Sequence, residues 1–424
     1  MRARWWAAAM AAMLLFAACS GGGGGTGSPG TTGGTATDGG TAFDPNSVSG
    51  DLTLQGFSAG NVEDELLNDV LATFMEKYPN IKVKFETIAA EYPTVTLTQL
   101  GAGDAPDLFY VQQGYAQEWI RQGVLQDLDA LASERGFDTS AFYPGYLSPF
   151  QADGKTYGFP KDSSLLALQY NTAMLEEAGI DPPTTTDELR TALEALKDSG
   201  VDAPLCGSNE YARVGAFIES NGGGMLTDDL SAAAIDSPES REALEWYLQL
   251  YEDELAKRPV DMGVDWCGQA LGEEKVAFSF EGNWIRPYME TNFPDVEYAV
   301  GPIPTAKEPA TLSFTAAYAI SPNAPNKDAS WVLLSYLTGQ EGMQEWANGG
   351  FVLPARTDVD AAENLAAYAA GGEVAHPGEG LVPGWSTIQD AFNNSMTAAI
   401  EGNGSVDDVI SASKSAVDAA LAGQ

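Results

Sequence analysis

From Asp51 onward, short segments with strand periodicity alternate with longer segments of helical periodicity. That alternation confines the chain to α/β architectures. "DLTLQGF" reads as a strand, and "IKVKFETI" alternates apolar and polar residues as a half-buried strand does. Between them, "VEDELLNDVLATFMEKYP" sets Leu66, Leu67, Val70, Leu71, Phe74 and Met75 on one helical face and stops at Pro79. "GDAPDLFYVQ" is a turn followed by a strand. "PPTTTDELRTALEALKDSG" has Thr185 and Glu188 at capping-box spacing and ends at Gly200. "DSPESREALEWYLQLYEDE" opens with Ser237 as cap and Pro238 in the first turn. "NKDASWVLLSYLTG" and "SVDDVISASKSAVDAALAG" complete the helices. The pattern predicts mostly parallel sheets, with ligands beyond the strand C-termini. No short fixed-period repeat is present, which argues against a solenoid.

A length of 424 residues allows two or three domains, or one large two-lobed body, and 44% hydrophobic residues supply a sizeable core. Sixty acidic residues against 21 Lys and Arg give a net charge of −39. Such a surface repels phosphate backbones, so nucleic acid is excluded as a partner. The one histidine, His376, lies in "GGEVAHPGEG" and reads as a surface residue. A histidine-based metal site or a Ser-His-Asp triad would have to depend on it. No phosphate-binding loop, EF-hand loop or dinucleotide fingerprint occurs. The expectation is a chain with no catalytic residues, no metal and no cofactor.

The N-terminus has the layout of a secretory signal peptide over residues 1–18. Arg2 and Arg4 supply positive charge, Trp5 to Phe16 an apolar stretch too short to span comfortably, and Ala17 and Ala18 the small residues before Cys19. "FAAC" resembles a bacterial lipobox with Phe16 where leucine is usual, and predicts lipidation of Cys19. An ordinary signal peptide with an incidental cysteine is the other reading. Residues 19–50 are Gly, Thr, Ser and Asp with almost nothing apolar, a composition that reads as a flexible tether. No later segment is long and apolar enough to span a membrane, so the body is expected outside the cell membrane, held by its N-terminal lipid. Cys206 and Cys267 are the remaining cysteines. In an exported chain they most simply form a disulfide, with two separate buried thiols as the alternative.

Six further segments occur in order: "FMEKYPNIKVKFE", "GDAPDLFYVQQGYAQEWIRQGVLQDLD", "DGKTYGFPKDSSLLALQYNTAMLEEAGIDPPTTTDEL", "EEKVAFSFEGNW", "YAVGPIP" and "GGFVLPAR". As an ordered set, these make residues 51–424 resemble the ABC-transporter extracellular solute-binding proteins of family 1, the maltose- and sugar-binding lipoprotein type. The resemblance implies a two-lobed periplasmic-binding-protein-like fold of type II, its lobes joined by crossing hinge strands around a ligand cleft. "YGFPKD", "YAVGPIP" and "FVLPAR" would be the crossings. The first lobe would comprise residues 51–160 and 303–350, the second 161–302 and 351–424.

A sugar site needs planar hydrogen-bonding groups beside aromatic rings. The resemblance places Trp284, Trp385 and Tyr211 at the family's aromatic positions. Glu281 and Asn283 stand beside Trp284, and Asp162 follows the crossing proline at the mouth of the cleft. Gln112 and Gln113 end the strand "DLFYVQQ", and Ser58 and Glu63 flank the turn after the first strand. Arg356 in "LPAR" would bind a hydroxyl or pair with a carboxylate. Trp246, Trp331 and Trp346 lie in helical patterns and read as core. The function implied is a monomeric, non-enzymatic receptor that delivers a di- or oligosaccharide to ABC-transporter permease subunits. The alternatives are the same fold with a non-sugar solute such as a polyamine, and an exported glycosidase using two carboxylates.

Overall fold

The chain divides into two units, Met1–Ala42 and Phe43–Gln424. The computed structural model describes residues 43–57 and 61–423. The signal segment, Cys19, most of the 19–50 tether and Ser58 lie outside the described residues.

Two sheets organise the second unit. The first has five strands in the order Ile81–Thr87, Gly50–Gly56, Leu108–Gln112, Ala316–Ile320, Phe159–Pro160. Its first three strands are parallel, with Leu52 opposite Val83 and Leu54 opposite Leu108. Ala316–Ile320 runs antiparallel to Leu108–Gln112, with Tyr318 opposite Tyr110. The helix Asn61–Lys77 covers this sheet through Leu67, Val70, Leu71 and Phe74, four of the six residues expected on its apolar face; Leu66 and Met75 are partly buried.

The second sheet is ordered Ala375–Pro377, Thr311–Phe314, Ser164–Asn171, Phe278–Gly282, Leu205–Cys206, Ala256–Lys257, with Tyr298–Gly301 also paired to Ser164–Asn171. Both sheets are mixed rather than mostly parallel. Ser164–Asn171 is antiparallel to three neighbours. The cause is topological: this strand and Ala316–Ile320 enter their sheets directly from the other sheet, and the period-2 signal of a strand carries no direction. Three helix starts are capped, the first two as the sequence indicated. Thr185 and Glu188 form a capping box on Thr186–Asp198, Ser237 caps Pro238–Glu252, and Ser405 with Asp408 caps Val406–Ala422.

The chain changes sheet first between Pro160 and Ser164. It changes back at Thr315, which separates Thr311–Phe314 in the second sheet from Ala316–Ile320 in the first. The second change was expected in "YAVGPIP". Instead Tyr298–Gly301 stays paired with Ser164–Asn171, and Thr305 donates its N–H to Thr184 O (2.9 Å), so residues 303–314 remain with the second sheet. The third expected segment runs beside the first crossing, where Ser163 and Leu353 exchange backbone hydrogen bonds of 2.9 and 3.0 Å. Cys206 and Cys267 are disulfide-bonded, with Cα atoms 5.5 Å apart. The bond ties a strand of the second sheet to the helix Cys267–Gly272.

A candidate ligand site at the sheet crossings

Both crossings and the ends of both sheets border a cavity of about 430 Å³. Phe57, Glu63 and Gln112 face it from the first sheet's side. Lys161, Asp162, Thr315 and Ala316 come from the crossings, and Asn283, Trp284, Phe314, Phe351 and Glu379 from the second sheet's side.

Trp284 follows the strand Phe278–Gly282 and is half-buried. Its ring lies over Gly282, where a Cβ would come within 2.1 Å of it, so glycine is what lets the indole fold back. The indole N–H donates to Glu281 Oε2 (3.0 Å). Arg213 donates to the same oxygen (2.7 Å) and stands 5.2 Å from the Trp284 ring centroid. Phe314 meets the ring edge-on at 5.5 Å. The ring is therefore fixed before any ligand arrives. Burial pushes the Glu281 carboxyl up, partly offset by Arg213.

At the first crossing Lys161 is only 4% exposed. Its ammonium donates to Asp162 and to Glu63 (3.1 Å) and sits 4.9 Å from the Trp346 ring and 5.2 Å from Tyr110. Burial alone would lower its pKa, but the two carboxylates hold it above the usual amine range. Burial pushes the Asp162 carboxyl up against the opposing pull of Lys161. Asp162 Oδ2 also accepts from Trp346 Nε1 (3.1 Å). Asn283 is buried at the join, accepting from Leu165 N (3.2 Å) and donating to Phe351 O (3.1 Å).

Of the residues singled out in the sequence, the structure brings Trp284, Asp162, Gln112, Asn283 and Glu63 around one cavity. Glu281 stands behind Trp284 as its anchor. Gln113 is fully buried and clasps the second crossing, donating to Ser313 O (2.9 Å) and accepting from Thr315 N (3.0 Å). Two assignments are corrected, Tyr211 and Trp385, and of the two roles left open for Arg356 the structure shows the carboxylate pair. Tyr211 (0% exposed) and Trp385 (2%) meet edge to face at 5.6 Å within the second sheet's hydrophobic core. Arg356 is buried in a bidentate pair with Asp358, both contacts 2.8 Å, and over Phe142.

The sequence reading missed Lys161, Glu379, Thr315 and the phenylalanines Phe57, Phe314 and Phe351. Lys161 had a signal, since it shares "FPKD" with Asp162. Glu379, one acid among sixty, had none. Trp346 is core, as its helical pattern indicated, yet its indole N–H holds Asp162. Among the described residues no cluster of three or more His, Cys, Asp or Glu side chains could hold a metal ion. None of their helices is long and apolar enough to cross a membrane.

Two lobes joined at crossing strands, with a preformed aromatic and polar cavity at the join, define a binding protein of the two-lobed periplasmic class. The chain belongs to the bacterial extracellular solute-binding protein family, whose model matches residues 69–373. It is 26% identical over 369 residues to a binding protein of Brucella abortus, covering 83% of this chain and 89% of that one. It is also 26% identical over 369 residues to the diacetylchitobiose-binding protein DasA of Streptomyces coelicolor, covering 82% and 85%. The cyclic α-maltosyl-1,6-maltose-binding protein of Arthrobacter globiformis shares the fold at a TM-score of 0.77 and 22% identity, over 89% of this chain and 100% of that one.

Proposed function

We propose that this protein captures a di- or oligosaccharide in the cavity at the crossings and delivers it to an ABC importer as a monomeric, lipid-anchored receptor outside the cell membrane. The observation that carries this reading is Trp284, a half-buried indole locked by Glu281, Arg213 and Phe314 and facing the cavity. Such a ring offers a flat apolar face for sugar C–H groups, and Asp162, Gln112 and Asn283 border the same space with hydrogen-bonding groups. A cavity near 430 Å³ falls within the span of small-molecule sites, roughly 300–1,000 Å³. The named ligands of the Streptomyces and Arthrobacter proteins point the same way.

Lobe one would then comprise 51–160 and the segment from Ala316 to about 350, and lobe two 161–314 and 351–424, closing over the ligand about the crossings. Cys19 would carry the lipid and residues 19–50 would be the leash. Nothing in the cavity suggests hydrolysis: Glu63 and Asp162, two of its carboxylates, share one ammonium instead of flanking open space. A polyamine would need several carboxylates open to it, and Glu63 and Asp162 are already engaged by Lys161. Thermal-shift measurement with N,N′-diacetylchitobiose, maltotriose, a cyclic maltosaccharide and spermidine tests the reading. A sugar is expected to raise the midpoint; a rise with spermidine alone would refute it. Mass spectrometry of the mature N-terminus tests the anchor.

A further inference from the structure

Glu379 lines the cavity within "HPGEG" and has no hydrogen-bond or ion-pair partner among the described residues. Its position is set by backbone on both sides. Gly378 N donates to Ser313 O (2.9 Å), and a Cβ there would meet the Phe314 ring at 2.7 Å. Gly380, with φ of 73°, lies so close to Gln113 that a Cβ would come within 1.8 Å of that carbonyl oxygen. The loop thus reaches from the second sheet onto the start of the helix Gln113–Arg121. The Glu379 carboxyl carbon and Oε1 lie 3.2 Å from where a Gly114 Cβ would be. A half-buried acid is held at the cavity wall, and among the described residues no cation is provided to neutralise it.

The other charges around the cavity are spent. Lys161 is shared by Glu63 and Asp162, and Arg213, behind Trp284, is held by Glu281. Tyr115 is the titratable group that faces Glu379 from the helix, and the carboxylate's charge adds to the burial that raises its hydroxyl. Carboxylates therefore outnumber cations in the cavity lining, with Glu379 in excess.

We propose that Glu379 determines specificity: it accepts a hydrogen bond from a hydroxyl of the bound saccharide, and the site refuses sugars that carry an anionic group. This rests on the proposed saccharide function and narrows it to ligands that bring donors and no negative charge. Such a site discriminates by leaving two like charges together when the wrong ligand enters.

The test compares wild type with Glu379→Gln by titration calorimetry at pH 7.5. The probes are N,N′-diacetylchitobiose, maltotriose and the derivatives of each oxidised to a carboxylate at C6. Wild type is expected to prefer the neutral form by about tenfold or more, and Glu379→Gln to shrink that preference by about tenfold, since a charged acceptor becomes a neutral amide. The ligand-free variant is expected to be no less stable than wild type, because burial disfavours the charged carboxylate. If the oxidised sugars bind as well as the neutral ones, or the variant keeps the wild-type ratio, Glu379 is not the determinant and saccharide binding stands. If the ligand-free variant loses stability, Glu379 is a structural group and the inference fails. If no sugar binds wild type, the function and the inference fail together.

Discussion

Replacing Lys161 by methionine tests whether the first crossing is held by charge or by packing. Methionine keeps most of the side chain's length and its contacts with the Tyr110 and Trp346 rings, and removes only the ammonium. Lys161 is 4% exposed and Asp162 7%. After the change, Asp162 keeps the hydrogen bond from Trp346 Nε1 (3.1 Å) and loses its cation, as does Glu63. Removing one partner of a buried ion pair costs about 3–5 kcal/mol, because an uncompensated charge stays buried. The Asp162 carboxyl, already raised by burial, rises further without Lys161. A carboxyl whose folded pKa lies above its unfolded value destabilises the fold at high pH, and the penalty fades as pH falls through the folded value. Urea unfolding followed by tryptophan fluorescence should show the full loss at pH 8 and a smaller one at pH 5. Adding Asp162→Asn to Lys161→Met should recover much of the loss at pH 8. A loss below about 1 kcal/mol at pH 8, or equal losses at both pH values, would refute the reasoning.

Trp284→Ala should weaken saccharide binding by about 1–3 kcal/mol in calorimetry, the range for a lost stacking ring and its shielded contacts, while Trp385→Ala should lower stability by about 3–5 kcal/mol through a core cavity. Equal affinity losses in the two variants would contradict the separation of the two tryptophans. Reducing the Cys206–Cys267 bond, which joins residues 61 apart, should cost about 4 kcal/mol of stability in the chain-entropy account, read as a lower thermal midpoint in reductant. Burial lifts Glu219 from 4.5 to about 7 even though Tyr211 donates to it. Stability should therefore fall as pH rises from about 5 to 8, by roughly 3 kcal/mol, and Glu219→Gln should flatten that slope in urea unfolding.

Much of the architecture was legible in local pattern. The apolar stripe from Leu67 to Phe74, the Thr185–Glu188 capping box and the alternation in "IKVKFETI" each depend on residues a few positions apart. So does the recognition of Trp284, whose neighbours Gly282 and Glu281 are the groups that shape and anchor it. Strand direction and the point where the chain returns to the first sheet were not legible. Both depend on which distant strand pairs with which, and 298–301 and 316–320 look alike until their partners, Ser164–Asn171 and Leu108–Gln112, are known.

Cleft residues divide in the same way. Composition and spacing, with the ordered motifs, were enough to establish an α/β chain, the class of binding protein and the crossing at Lys161–Asp162. Tertiary structure decided that Tyr211 and Trp385 point into a core, that Arg356 is consumed by Asp358, and that Glu379 arrives at Gly114 across 265 residues of chain. The physical reason is that periodicity reports which face of an element is apolar. Whether a polar or aromatic side chain meets a partner, a core or an open cavity depends on which atoms the folded chain packs around it, which periodicity does not report.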